Sequence, residues 1–194
     1  KTIQERTEHL SFKAHHDELT GLNNRTLLFQ YVKDALTQTN NGKVALLFLD
    51  LNKFKHFNDT HGHDFGDEIL VESAARLQQA VRKNDRVFRI GGDEFVVLLT
   101  KLKTDTSIEN IVSHILNTSN KPMTIKGIDL QIKFSVGISI APNDTINSGE
   151  LLKYADLAMY SAKKSNEHQY AFFSPTMLKR SSDHKAHTTQ SELA

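Results

Sequence analysis

The segment that most limits the fold is VALLFLDL, residues 44–51, a continuous apolar run that closes on an acid, Asp50. A strand of this kind is buried on both faces, so it belongs inside a layered fold. A second apolar pair stands downstream in FRIGGDEFVVLL, residues 88–99. VFRI and FVVLL are rich in branched and aromatic residues and read as short strands. Gly91-Gly92 between them is a two-residue hairpin signal, because primed turns need positive φ and glycine adopts it without steric cost. The glycines do not explain Asp93 and Glu94. These adjacent acids sit where the second strand should begin, and they repel each other unless a cation or a donor lies between them.

The rest of the chain supplies the layers. Leu27, Leu28, Tyr31, Val32 and Leu36 recur at helical spacing until Asn40-Asn41-Gly42 ends the run. FKHFNDTHGHDFGDEIL, residues 54–70, holds a short helix, a turn at Gly62 and the start of a long helix with Phe65, Ile69, Ala74, Leu77 and Val81 on one face. A helix around Ile108 to Leu116 follows, then a second hairpin with MTIKG and IDLQIKFSVGISI as its arms. A further helix spans Ser148 to Lys164, with Asn147 and Glu150 spaced as a capping box, and QYAFF is the last strand. Residues 1–16 form a helical lead-in with Ile3 and Leu10 one heptad apart, and residues 175–194 a polar tail or linker. Residues 17–174 make one α+β sandwich, a ferredoxin-like βαββαβ core with a mainly antiparallel central sheet, surrounding helices and an extra hairpin.

Composition closes off several functions. The 24 Lys and Arg against 23 Asp and Glu leave a net charge of +1, so bulk attraction to a nucleic acid polymer or an anionic membrane is not expected. The absence of cysteine removes disulfides, thiolate metal sites and cysteine nucleophiles. The longest apolar run, VALLFL, falls far short of the roughly 20 residues of a spanning helix, and KTIQERTEHL lacks the apolar core of a signal peptide. A soluble cytoplasmic domain is expected. The histidine pairs lack further ligands at zinc spacing, Asp64-Phe65-Gly66 has no kinase motifs around it, and no phosphate-binding P-loop sequence occurs.

In the expected fold Asp50, Asp93 and Glu94 converge at one edge of the sheet. Three carboxylates without nearby lysine partners are costly to hold together unless a hard divalent cation neutralises them. Mg²⁺ fits best, with Mn²⁺ as a substitute, because it takes one or two carboxylates and completes its shell with water and phosphate oxygens. Acids around a metal pair at the tip of such a sheet suit nucleotidyl transfer.

Five ordered blocks, DELTGLNNR, FLDLNKFKHFNDTHGHDFGD, RKNDRVFRIGGDEF, FSVGISI and ADLAMYSAKK, make residues 17–174 resemble a GGDEF domain, the catalytic domain of bacterial diguanylate cyclases. The resemblance implies the fold of nucleotidyl cyclases and polymerase palms, and condensation of two GTP into cyclic di-GMP with release of two pyrophosphates by a homodimer. It places metal ligands on Asp50, Asp93 and the main-chain carbonyl of Leu51, with Asp93 as catalytic acid/base and Glu94 supporting the metal and phosphate region. Asn58 and Asp67 fall where guanine is held, with His63 beside the nucleotide. Phe54, Lys55 and Lys163 fall where the phosphates are held. Arg82 and Asp85 form an Arg-x-x-Asp that would bind the product, cyclic di-GMP, and inhibit. KKSNEHQ departs from the family, since Glu167 stands where an arginine usually binds phosphate, with Lys164 as the nearest compensating cation. The resemblance also implies an upstream sensor domain and a downstream EAL phosphodiesterase domain in a longer, membrane-anchored protein. A catalytically silent module that binds GTP or cyclic di-GMP is the alternative. RNA binding, suggested by the shared sheet topology, lacks the aromatic strand pattern it needs.

Overall fold

The computed structural model describes residues 12–38, 42–103, 107–165 and 168–179. Ile3 and Leu10, the Asn40-Asn41 helix stop, Asn166 and Glu167, and residues 180–194 lie outside the described residues. In chain order the elements are α1 (Arg25–Gln38), β1 (Lys43–Leu51), α2 (Phe54–His61), α3 (His63–Ala80), β2 (Arg86–Gly91) and β3 (Glu94–Leu102). Then come α4 (Ile108–Ser119), β4 (Met123–Ile125), β5 (Ile128–Leu130), β6 (Phe134–Ala141), α5 (Ser148–Lys164) and β7 (Tyr170–Phe172). Five strands form one sheet in the order β2-β3-β1-β6-β7, antiparallel except where β7 runs parallel to β6. The architecture is α+β, with β1 in the middle of the sheet.

The long apolar run is a central strand for a visible reason. Ala45, Leu47, Leu49 and Leu51 face a core shared with α3 and α4, whereas Val44, Leu46 and Phe48 face a second core under α1 and α5. Alternation therefore buries both faces, and it puts Asp50 on the side of α5. That helix lies directly against β6, because a Cβ on Gly137 would overlap the backbone of Ala155, Ala158 and Met159. Only glycine lets the helix approach so closely.

Four expectations change. The tight turn of the hairpin is Gly92-Asp93 rather than Gly91-Gly92, because Gly91 pairs with Glu94 and a bulge inserts Ile90 into β2. The second hairpin is only β4 and β5; the rest of its expected long arm turns away to become β6 of the main sheet. Asn147 caps α5 by accepting from the Gly149 and Glu150 N–H groups, but Glu150 accepts from Thr145 Oγ1 instead of reaching back to Asn147. Val81 lies past α3 in extended conformation and packs on the core from there.

Gly137→Ala is expected to cost about 3 kcal/mol or more, since neither β6 nor α5 can yield without opening the core. Chemical denaturation with a two-state fit checks this.

Candidate active site

Two strand ends and the hairpin turn between β2 and β3 supply the acids. Asp50 is opposite Glu94 of β3 on one side and Ser135 of β6 on the other. The Leu51 N–H donates to the Asp93 carbonyl at 3.3 Å, which fixes the hairpin tip beside the end of β1. The acids thus gather at the end of the central strands, not at a lateral edge, because β1 is the middle strand. The expectation that they lack a lysine is also corrected: Lys163 Nζ on α5 donates to Asp50 Oδ1 at 2.6 Å. Lys163 therefore rests on Asp50 in the free chain.

The charges press on one another. Burial, and next the Asp50 charge, push the Asp93 carboxyl above its ordinary value, against the pull of Lys163 and Arg89. Glu94 is raised by burial and then by Asp156, Asp50 and Asp93, with Arg25 opposing. Asp156 of α5 is raised by burial and by Asp50. It is an additional acid of the cluster, and its spacing of seven residues before Lys163, two helical turns, was the signal for it.

The hairpin tip is anchored from outside the sheet. Arg89 donates from Nη1 to both oxygens of Asp17, at 2.8 and 3.0 Å, and from Nε and Nη2 to the Gly92 carbonyl. Asp17 also accepts from the Thr20 N–H and hydroxyl, closing the turn before α1. Burial alone would raise Asp17, but these donors outweigh it and hold the carboxyl below its usual range. A mostly buried guanidinium thus joins the N-terminal turn to the β2–β3 hairpin.

The expected nucleotide residues sit around the adjoining helices. Lys53 turns the chain into α2 with φ 63, and His56 and Phe57 N–H groups bond back to its carbonyl. The Phe54 and Lys55 N–H groups, in the first turn, precede any helical acceptor. Asn58 Oδ1 is buried without a hydrogen-bond partner and lies over Gly66, where a Cβ would collide with it. Asp67 is the next residue, and His63 is one turn earlier on the same exposed face of α3. An orphaned amide oxygen and a nearby exposed carboxylate are both acceptors, and such a pair suits a base edge that carries N–H donors.

Arg82 and Asp85 form their own cluster. Asp85 is buried, accepts from Arg82 Nε at 3.0 Å and Nη2 at 3.3 Å, and also accepts from the Arg82 and Thr100 N–H groups. The Arg82 side chain is 55% exposed, beside an open depression of about 430 Å³ lined by His16, Asn23, Gln78 and Lys83.

Among the described residues, no three His, Cys, Asp or Glu side chains are grouped so as to hold a metal ion. The donors that fit Mg²⁺ are two carboxylates, Asp50 and Asp93, with the Leu51 carbonyl, and phosphate oxygens would complete the shell. Among the described residues no helix is long and apolar enough to cross a membrane.

A family model described as diguanylate cyclase, GGDEF domain, matches residues 14–169. Diguanylate cyclase TpbB of Pseudomonas aeruginosa is 36% identical over 165 residues, 84% of this chain and 38% of TpbB. Cyclic di-GMP phosphodiesterase PdeR of Escherichia coli is 34% identical over 173 residues, 89% of this chain and 26% of PdeR. The chain thus spans well under half the length of these curated relatives. A solved structure of a TpbB variant comprising only its GGDEF domain superposes with a TM-score of 0.81 at 33% identity, covering 85% of this chain and 98% of that one.

Asp93→Asn should stabilise the free chain at neutral pH by on the order of 0.5 kcal/mol, after discounting for solvent exposure. The raised Asp93 carboxyl penalises the fold only when ionised, so the gain should vanish as pH falls through the carboxylate range. Thermal melts of both proteins between about pH 3.5 and 7.5 measure it.

Proposed function

The chain belongs to the diguanylate cyclase GGDEF-domain family, and we propose that it condenses two GTP into cyclic di-GMP. The observation that carries this reading is the meeting of Asp50, Asp93 and Glu94 at adjacent strand ends, with Asn58 and Asp67 grouped nearby. Asp67 accepts from the guanine N1–H and exocyclic amine, and Asn58 serves the other edge. The first-turn amides of α2 and the charges of Lys55 and Lys163 take the phosphates.

Asp93 accepts the proton of the attacking 3′-hydroxyl. The 3′-oxygen bonds to the α-phosphorus of the facing GTP, the bond from that phosphorus to the bridging oxygen breaks, and pyrophosphate leaves. Asp50, Asp93 and the Leu51 carbonyl would hold Mg²⁺, which would supply charge neutralisation during the transfer. Each chain holds one nucleotide, so a complete site needs two chains related by a two-fold axis.

Arg82, exposed beside its depression, offers a guanidinium to the phosphates or guanine of cyclic di-GMP, which would give product inhibition. The full protein would add a sensor domain before this one and an EAL domain after it, anchored to a membrane outside these residues. One observation favours a second reading, a nucleotide-binding module without turnover. PdeR, named for breaking cyclic di-GMP down, contains a segment 34% identical to this chain.

Incubation with GTP and Mg²⁺ followed by chromatography tests the cyclase. The expected outcome is cyclic di-GMP, with specific activity rising as protein concentration rises and falling at least about 100-fold in Asp93→Ala. Nucleotide binding without product at any concentration would favour the silent module.

A further inference from the structure

Ile132, Phe134, Val136 and Ile138 all face the core beneath α3 and α4. Their neighbours therefore face α5, and two of them, Ser139 and Gly137, mark positions along it. Ser139 Oγ donates to the Leu151 carbonyl, Gly137 lies against Ala155 to Met159, and Ser135 Oγ donates to Asn52 Oδ1 at 2.7 Å. Moving from Ser139 to Ser135 runs toward the C-terminal end of α5, where Lys163 meets Asp50. Lys133 is the residue immediately before β6. Its carbonyl accepts from the Asn52 N–H at 2.8 Å, so it stands directly across from the turn that carries Lys53, Phe54 and Lys55.

Lys133 is exposed, and it makes no ion pair or side-chain hydrogen bond with the described residues. The two lysines ending α5 are engaged: Lys163 on Asp50, and Lys164 with its ammonium 4.4 Å above the Tyr160 ring. The cluster of Asp50, Asp93, Glu94 and Asp156 is rich in negative charge, so a triphosphate entering it needs cations that are not already committed.

We propose that Lys133 is a further substrate-binding residue, contacting the β- and γ-phosphates of GTP from the β6 side of the site. The inference rests on the nucleotide reading of the preceding subsection. It adds a cation that no sequence motif marks, because Lys133 is recruited by the register of β1 against β6 rather than by a local pattern.

Calorimetric titration with Mg²⁺ and α,β-methylene-GTP, which cannot release pyrophosphate, tests it, with GMP as the probe lacking the outer phosphates. Lys133→Gln should weaken the triphosphate about tenfold and leave GMP unchanged, and Lys133→Arg should restore binding to within about threefold. Unchanged triphosphate binding in Lys133→Gln, with weakened binding in Lys55→Gln, would overturn the role of Lys133 and leave the site reading intact. Equal weakening of triphosphate and GMP would make Lys133 a structural residue and also overturn it. Failure of the unsubstituted chain to bind the triphosphate would overturn both.

Discussion

The constraint on which this structure turns is a buried acid at the end of an apolar strand. Residues 44–49 of β1 face two cores, and Asp50 continues the same strand with little solvent around it. An isolated carboxylate there is costly, and the neighbouring acids raise that cost. The remedy comes from 113 residues along the chain, where Lys163 reaches Asp50. It can do so because α5 is seated on the bare backbone of Gly137, so a packing feature of one core sets the electrostatics of the site. Breaking such a pair leaves a buried charge without compensation.

A second long-range tie governs the acids on the other strand. The bulge at Ile90 and the Gly92-Asp93 turn would leave a short, exposed loop, and such loops are ordinarily mobile. Arg89 prevents this by holding the Gly92 carbonyl and the Asp17 carboxylate with one planar group. Asp93 is therefore presented from a braced turn. The segment before α1 is thus tied to the hairpin twice, by Asp17 on the Arg89 guanidinium and by the Asn23 carbonyl on the Arg89 N–H.

The elements were largely legible in the sequence because their signals are local: the two-sided apolar run, the helical stripes and the glycine punctuation. The acids of β1 and the hairpin were legible for the same reason, as polar residues interrupting strong strand patterns. What escaped was register. A bulge moves the turn by one residue, and no local pattern distinguishes Gly91-Gly92 from Gly92-Asp93 as its centre. The splitting of IDLQIKFSVGISI into β5 and β6 escaped because both halves favour strand, and only the sheet decides which partner each takes. Asp156, Arg89 and the Lys163–Asp50 pair escaped because each depends on which helix face or strand face meets a distant segment.

The crowding of acids separates a structural from a functional account. If the cluster served stability, each carboxylate would be matched by a donor, as Asp17 and Asp85 are. Those two are held by guanidinium groups and backbone N–H groups within closed turns. Asp93, Glu94 and Asp156 are instead pushed toward protonation by burial and by the Asp50 charge, and Glu94 by Asp156 and Asp93 as well. One fold thus contains both kinds of acid: satisfied ones that fasten turns and stressed ones gathered at a common sheet end. Stress of that kind lowers the stability of the free chain, and a ligand bringing positive charge would relieve it. Carboxyl groups strained in this way are a physical mark of a site for a cationic ligand, and they support the reading that puts the chemistry at the end of β1.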